Sequence, residues 1–428
     1  MMKLGADNQF YLYLGKGDKA AVMEYSYTLD VPVAKDLLTE AVQKTVEAFP
    51  MFGCRPYLDS EGKLIVEKNE APVPVFMDSE SFFSLGSDES NGYLFCVTTK
   101  GDSIRICASH ALADGRGIFF FSELLIYNYL KLSGVEVDGS EVPYSEADER
   151  QGNVLERLSE VCAGIKVSQE EPGSDNEPTR KVFVIPEECV HEGTAFTRDI
   201  RLTWDQSKFM EVVHRIGTTP VCFMAALMGD AVCDNYEMGD SELVASVPVD
   251  LRGMLNSLSQ SNFTANVSIP FGWKEHELSI EEKTGILRKA LKEQVVKEKL
   301  IKAVKGFSPV LEMIAGYPLV GLEGMGGGDK EIRRSYLLSN IGQITFPAGL
   351  DEHIREFSLR GTNLESTPAY VLLSNKDTGM LIIQQNYDST VLPETIKKKL
   401  DEYGIKTKLT DNGCTRCHFA DPKCFSRK

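Results

Sequence analysis

Three features of the sequence predict an α/β (α+β) protein of two domains. The first 165 residues alternate short apolar runs with stretches of helical spacing, as in strands and helices that pack in layers. The chain has 428 residues, which is long for a single hydrophobic core. An irregular acidic segment then separates this part from a second series of strand and helix patterns. We expect residues 1–165 to form the first domain, residues 166–195 a linker or crossover, and residues 196–428 the second domain.

The individual elements follow from hydrophobic spacing. In the first domain, residues 20–29 and 104–108 are typical of strands, and residues 33–48 and 118–125 are typical of helices. In the second domain the pattern predicts further strands and helices. The strands are residues 196–202, 243–252, 336–343, 370–374 and 380–387, and the helices are residues 209–216, 221–236, 281–305 and 390–403.

One short stretch, residues 109–117, carries most of the chemistry. It reads Ser-His-Ala-Leu-Ala-Asp-Gly-Arg-Gly and joins the apolar strand to the aromatic helix. His110 therefore lies at a strand tip between two rigid elements, which suits a general base. We expect Gly115 to supply a backbone conformation that only glycine adopts readily. The alternative for His110 is a partly buried histidine that only caps the strand.

The spacing His110-x-x-x-Asp114-Gly115 resembles the signature of the chloramphenicol acetyltransferase-like superfamily. That group includes bacterial alcohol acyltransferases, wax ester synthases, peptide-synthetase condensation domains and the plant BAHD acyltransferases. Many members carry two successive histidines, of which the second is catalytic, and Ser109 stands in the first position here. The resemblance implies two sandwich domains, each a mixed sheet with flanking helices, around a central channel.

The same resemblance suggests roles for further residues. Arg55 follows a helix and a Pro-Met-Phe run, where relatives have an arginine that pairs with the aspartate of the motif. Such a pair would give a buried Asp114 its cation and make it structural rather than a member of a triad. The alternative is a surface arginine on an edge strand. Ser339 is a candidate oxyanion donor with Asn340 holding its turn, or both belong to a plain strand end.

The run Val-Pro-Val-Asp-Leu-Arg at residues 247–252, with Ser-Asn-Phe at 261–263, looks like the bacterial alcohol acyltransferase branch. We expect Asp250 and Arg252 to be structural, or a local surface ion pair. The Asp-Phe-Gly-Trp-Gly motif of the plant branch is absent from the sequence.

Charge and composition restrict the partners. The net charge of −17 disfavours nucleic acid, which needs a basic face. No run of about 18 apolar residues predicts membrane insertion, and the N-terminus lacks the apolar core of a signal peptide. We therefore expect a cytoplasmic monomer whose ten cysteines are reduced.

The C-terminal tail contains Cys414, Cys417, His418 and Cys424. Its Cys-x-x-Cys-His pattern matches haem attachment, which requires export, and the cluster could also bind zinc. A frayed terminus without a metal is the preferred interpretation.

The resemblance implies acyl transfer from a thioester, acyl-CoA above all, to an alcohol or amine acceptor. His110 would act as general base, and the reaction would need neither metal nor cofactor. Two alternatives remain. One is a condensation-type enzyme that uses carrier-protein-bound thioesters, and the other is a non-catalytic binding protein of the same fold.

Overall fold

The computed structural model describes residues 5–14, 21–78, 84–150, 152–168, 181–186, 196–316, 334–362 and 367–416. The strands in these ranges are β1 (Val22–Leu29), β2 (Cys54–Leu58), β3 (Leu64–Lys68), β4 (Val75–Met77), β5 (Phe95–Lys100), β6 (Ser103–Ser109), β7 (Phe196–Asp205), β8 (Leu243–Asp250), β9 (Thr264–Phe271), β10 (Tyr336–Gln343), β11 (Ile354–Gly361), β12 (Ala369–Ser374), β13 (Thr378–Gln385) and β14 (Lys408–Arg416). The helices are α1 (Ala6–Leu14), α2 (Lys35–Ala48), α3 (Gly115–Leu132), α4 (Leu158–Gly164), α5 (Gln206–Ile216), α6 (Pro220–Asn235), α7 (Arg252–Leu255), α8 (Trp273–His276), α9 (Ile280–Gln294), α10 (Lys297–Gly316), α11 (Ala348–Asp351) and α12 (Val391–Glu402).

The first sheet has five strands in the order β11-β1-β6-β5-β4. Strand β1 lies between β6 and β11 and is antiparallel to both, so that Tyr25 is opposite Ile106 on one side and Leu359 on the other. Strand β11 comes from the range that we expected to form the second domain. The domain boundaries remain a prediction, but the first sheet is completed by a strand from beyond residue 196.

The second sheet has seven strands in the order β14-β7-β13-β12-β10-β8-β9. Strand β10 is parallel to both β12 and β8, and the other neighbours are antiparallel. Both large sheets are therefore mixed, since β4 and β5 are parallel in the first sheet. With helices packed against these sheets, the α/β (α+β) class is confirmed.

Each large sheet has its own hydrophobic core. In the first core, helix α3 packs aromatic side chains on α2 and the sheet, and Phe121 stacks on Phe52 with ring centroids 4.1 Å apart. In the second core, helix α6 is buried along most of its length, because its residues are apolar on all sides. Such a helix is expected only in the interior of a protein.

The predicted helix over residues 281–305 is two helices, α9 and α10. A capping box of Ser279 and Glu282 starts α9, and this helix ends where Val295 leaves the helical conformation with ψ at 59°. Two consecutive β-branched valines, Val295 and Val296, follow the end of α9 and are poor helix formers. Helix α10 then continues to Gly316, past the predicted end.

The described cysteines are free thiols, and the reduced state of all ten remains an expectation. Six of them are buried and Cys414 is exposed. Cys417, His418 and Cys424 lie outside the described residues, and no cluster of metal-ligating side chains occurs within the part that the structure describes. No single described helix is long and apolar enough to cross a membrane; α5 and α6, bent by 86°, pass that test only as a pair.

Candidate active site

His110 lies directly after β6 and is fixed by the strands on both sides. The backbone N–H of His110 donates to the carbonyl of Ala21 at 2.7 Å, and that of Ser109 donates to the carbonyl of Leu94 at 2.9 Å. The Ser109 side chain also accepts a hydrogen bond from the N–H of Ala111. The residue that replaces the first histidine of the motif therefore shapes the turn that presents His110.

Asp114 is the N-cap of helix α3. Its Oδ1 accepts a hydrogen bond from the N–H of Gly117 at 2.8 Å, as the cap of a helix requires. Gly115 begins the helix and does not adopt the left-handed conformation that we expected of it. Its small size matters instead, because a Cβ there would lie 3.3 Å from the Tyr25 hydroxyl, which donates to the Gly115 carbonyl.

The cation that pairs with Asp114 is Arg252 and not Arg55. The Arg252 guanidinium donates from Nη2 to Oδ1 at 2.9 Å and from Nη1 to Oδ2 at 3.0 Å. Both side chains are buried, with 6% and 4% of their surface exposed. Arg55 lies on β2, is half exposed, and pairs with Glu67 on the neighbouring strand β3 at 2.7 Å. The predicted Arg55–Asp114 pair is therefore wrong.

Every N–H of the Arg252 guanidinium has an acceptor. In addition to the two bonds to Asp114, Nε donates to the carbonyl of Ser259, Nη2 to the carbonyl of Ser261 and Nη1 to the carboxylate of Asp250. An arginine has five N–H donors, so none is left unpaired. A buried ion pair is tolerable when its remaining hydrogen-bonding groups are satisfied in this way. Arg252 was expected to be either a structural residue or part of a local surface ion pair with Asp250. It does bind Asp250, but it is buried and holds Asp114, which is a structural role.

The segment before β9 connects this ion pair to the histidine. The N–H of Phe263 donates to Asp114 Oδ2 at 2.8 Å, and the Asn262 side chain donates to the carbonyl of His110 at 3.0 Å. The Oδ1 atom of Asn262 is buried and has no hydrogen-bond partner among the described residues. The histidine loop is thus held by residues from both parts of the chain.

Burial lowers the pKa of His110 below the usual value of 6.5, since it disfavours the charged imidazolium. The carboxylate of Asp114, the carbonyl of His110 itself and the Asn262 amide oppose this effect only partly. The Nδ1 atom is buried without a hydrogen-bond partner of ordinary geometry in the described ranges. A lowered pKa favours the uncharged imidazole at neutral pH, which is the form that can accept a proton.

Helix α1 covers the histidine from one side. The Tyr11 ring stacks on the imidazole with centroids 3.9 Å apart and planes at 14°. On the same helix, Asn8 donates to the carbonyls of Ala111 and Leu112 at 2.8 and 3.2 Å. Neither residue was a sequence candidate. The only signal was an aromatic-rich stretch near the N-terminus, which has no motif of its own.

Ser339 and Asn340 lie within β10 and not in a strand-end turn. Ser339 is half-buried opposite Val371 of β12, Asn340 is exposed, and the register shifts between Asn340 and Gly342. In the described part of the chain, no hydrogen bond joins either side chain to His110. The oxyanion role of Ser339 and the supporting role of Asn340 remain predictions.

A small cavity of ≈ 70 Å³ lies behind the histidine loop, beside Leu112 and Ser261. It has room for a few water molecules but not for a thioester substrate. A larger pocket of ≈ 300 Å³ is lined by charged side chains of both signs and does not include His110; these are Arg116, Asp148, Arg150, Asp250 and Arg252. The channel that the resemblance implies remains a prediction.

No protein-family model matches the sequence, and no curated protein matches it. Solved structures do match. The chain resembles polyketide synthase associated protein 5 from Mycobacterium tuberculosis, with 11% identity, a TM-score of 0.62, and coverage of 93% of this chain and 96% of that protein. It also resembles Fusarium sporotrichioides TRI101, solved with coenzyme A and T-2, with 11% identity, a TM-score of 0.61, and coverage of 96% and 99%.

A third match is the epimerization domain from the third module of tyrocidine synthetase B, with 12% identity, a TM-score of 0.62, and coverage of 94% and 95%. At such low identities the comparison establishes the fold and does not establish the reaction. The likeness extends over nearly the whole of each protein. The chain therefore has the fold of these proteins, in agreement with the fold that the resemblance of the segment around His110 implied.

Proposed function

We propose that this protein is an acyltransferase that moves an acyl group from acyl-CoA to an alcohol or amine acceptor, with His110 as general base. The observation that carries the proposal is the placement of His110 at a strand tip, where Ser109 and His110 donate backbone hydrogen bonds to Leu94 and Ala21 and Asn262 donates to the His110 carbonyl. Burial also lowers the pKa of this histidine, which favours the uncharged imidazole. A general base must be unprotonated at the working pH and rigidly placed. His110 meets both requirements.

In the proposed step, the acceptor O–H or N–H donates its proton to the imidazole as its oxygen or nitrogen attacks the thioester carbonyl carbon. A C–O or C–N bond forms and the carbonyl oxygen becomes an oxyanion. When the tetrahedral intermediate collapses, the C–S bond breaks and the departing thiolate receives the proton from the imidazolium. Because Nδ1 is buried, the proton transfers take place at Nε2. Ser339 remains the candidate donor to the oxyanion.

Asp114 supports this chemistry without touching the reacting atoms. Its two oxygens are occupied by Arg252 and by the N–H groups of Gly117 and Phe263. It therefore fixes the start of α3 and the segment before β9, and through them the loop that carries His110.

The test is a thiol-release assay with acyl-CoAs of several chain lengths and a panel of alcohols and amines. Wild type is compared with His110→Ala and with His214→Ala, whose histidine is exposed near the end of α5. We expect acceptor-dependent release of CoA from wild type and from His214→Ala. The His110→Ala variant should lose about 10²–10⁴-fold of the rate, the usual contribution of general-base catalysis.

Equal rates in a folded His110→Ala variant would remove His110 as the base. If wild type is inactive with free CoA esters but active with the same acyl groups on a phosphopantetheinyl carrier protein, the condensation-type alternative is correct. Inactivity with both donors would leave the binding role.

A further inference from the structure

Tyr11 is the side chain in closest stacking contact with the imidazole of His110. The two rings are nearly parallel, at 14°, and their centroids are 3.9 Å apart. A stack of this kind fixes the plane of both rings, since each ring blocks the rotation of the other. It also keeps water away from one face of the imidazole.

Helix α1 is attached to the histidine loop independently of Tyr11. Asn8 donates to the carbonyls of Ala111 and Leu112, and its Oδ1 accepts a hydrogen bond from the Ser261 hydroxyl at 2.7 Å. Phe10 packs edge-on against Phe307 of α10, with centroids 6.4 Å apart. A change of Tyr11 alone should therefore leave the helix in place.

The usual device for orienting a catalytic histidine is a carboxylate that accepts a hydrogen bond from Nδ1. In the described part of the chain, no carboxylate accepts a hydrogen bond from Nδ1 of His110. Nδ1 has no hydrogen-bond partner of ordinary geometry, and the nearby carboxylate of Asp114 is bound to Arg252. Asn262 donates to the backbone carbonyl of His110, and its side chain also raises the pKa of the ring. The ring itself is stacked on Tyr11, and this packing is the main candidate for what orients it.

We propose that Tyr11 is a positioning residue, whose ring holds the imidazole of His110 in its working plane and shields it from water. This inference rests on the proposed function for its consequence in catalysis. The effect of Tyr11 on the orientation and shielding of the His110 ring does not depend on which reaction the site performs.

Loss of the Tyr11 ring should change the protonation of His110. Burial is the main cause that lowers the pKa of this histidine, whereas Asp114, the His110 carbonyl and Asn262 raise it. The Arg252 cation close by is already neutralised by its carboxylates. Water that enters beside the imidazole would therefore move the pKa upward, toward the usual value of about 6.5.

The test follows the ring carbons of His110 by NMR as the pH is changed, with the signal assigned from His110→Ala. The variants are Tyr11→Ala, Tyr11→Phe and Phe307→Ala. The last is a control that removes from α10 a half-exposed ring that packs on Phe10, and it leaves the Tyr11 ring in place. We expect the pKa of His110 to rise in Tyr11→Ala and to stay at the wild-type value in Tyr11→Phe and Phe307→Ala. Thermal unfolding of each variant confirms that it is folded.

The second readout is the acyl-transfer rate. We expect Tyr11→Ala to lower kcat/KM about 10²-fold, as a misplaced catalytic group does, and Tyr11→Phe to remain within about twofold of wild type. If Tyr11→Ala does not fold, Tyr11→Leu replaces it, because leucine retains apolar volume but has no flat ring.

An unchanged His110 titration in folded Tyr11→Ala would overturn the proposal. The same shift in Tyr11→Phe would also overturn it, since the hydroxyl and not the ring would then be responsible. Because the titration needs no turnover, a protein without acyltransferase activity can still confirm or refute the role of Tyr11.

Discussion

The Asp114 carboxylate and the Arg252 guanidinium form a buried bidentate ion pair across 138 residues of sequence. Asp114 is the N-cap of α3, and Arg252 begins α7 directly after β8. The pair therefore fastens the helix that follows the histidine loop to the end of β8 in the second sheet. Through this pair, the segment that carries His110 and Asp114 is bound to residues from the second half of the chain.

We predict that Arg252→Met destabilises the protein by about 3–5 kcal/mol, the usual cost of leaving one buried charge without its partner. Arg252→Lys should also be destabilising, because an ammonium cannot reproduce the bidentate geometry. Urea unfolding measures both. The control is Arg55→Met, which removes a half-exposed ion pair with Glu67 and should cost less than about 1 kcal/mol. Similar losses for Arg252→Met and Arg55→Met would contradict the assignment.

The sequence was sufficient to place His110 and Asp114, because a strand, a turn and a helix follow one another within a few residues. It was insufficient to choose between Arg55 and Arg252 as the partner of Asp114. That choice depends on which arginine the folded chain brings to the carboxylate, and the pairing spans both parts of the protein. The Val-Pro-Val-Asp-Leu-Arg run contains Arg252, the actual partner of Asp114. From the sequence alone, Asp250 two positions away was the simpler partner for this arginine.

Contacts between residues distant in sequence also account for other features of the structure that the sequence did not predict. Strand β11 completes the first sheet through a pairing with β1 that no local pattern predicts. Tyr11 and Asn262 contact His110 from elements distant in sequence, and their residue types are common in ordinary cores. Most predicted helices and strands were confirmed because periodicity is a local property. The break between α9 and α10 was missed because the charged amphipathic pattern continues across it.

Gly117 is predicted to be required by close packing. A Cβ at this position would lie 2.3 Å from the carbonyl oxygen of Gln260 and 2.7 Å from the Cβ of Ala113. Gly117→Ala must therefore push α3 away from the segment that carries Asn262, with a cost of about 1–3 kcal/mol and a loss of activity. Gly285→Ala on α9 is the control, since no described atom lies within 4 Å of a Cβ placed there. It should stabilise the protein by about 0.5–1 kcal/mol. Calorimetric unfolding distinguishes the two, and a stable, active Gly117→Ala variant would be inconsistent with this packing.

Asn262→Ala should affect activity more than stability. The substitution removes a hydrogen bond to the His110 carbonyl worth about 1 kcal/mol. It also removes a buried Oδ1 that has no hydrogen-bond partner of ordinary geometry among the described residues. These two effects partly cancel in the free energy of unfolding. The histidine loop, however, loses a direct support. We expect kcat/KM to fall by about tenfold while unfolding changes by less than about 1 kcal/mol. A large loss of stability with unchanged kcat/KM would refute this.

The pH dependence of activity should follow the neutral form of His110. Because burial lowers its pKa, the acid limb of kcat/KM should have its midpoint below 6.5.

The free energy of unfolding should also depend on the protonation of His110. As the pH falls below 6.5, the unfolded chain binds a proton that folded His110 resists, so folding becomes less favourable until the pH passes the lowered pKa. The His110→Ala variant should lose this part of the dependence. A midpoint clearly above 6.5 would mean that a different group is titrating.

Glu123 should make the protein less stable as the pH rises. It lies in α3 with 4% of its surface exposed, and burial raises its pKa to about 8 although Arg116 and Arg150 oppose this. The unfolded chain ionises this carboxyl near pH 4.5, whereas the folded protein keeps it protonated until about pH 8. The unfolded state therefore gains stability between these values, by up to about 1.4 kcal/mol per pH unit.

Glu123→Gln removes this effect while it keeps the shape of the side chain. The variant and wild type should be equally stable near pH 4.5, and the variant should be more stable at pH 8 by at least about 1.4 kcal/mol. Unfolding in urea at a series of pH values measures the difference. The control is Glu146→Gln. Glu146 is an exposed carboxylate whose pKa is lowered by its contact with Lys131. It should show a small effect of opposite sign, because its carboxylate stabilises the folded state when ionised. A Glu123→Gln variant that gains nothing between pH 4.5 and 8 would show that folded Glu123 ionises normally and reaches solvent or a cation.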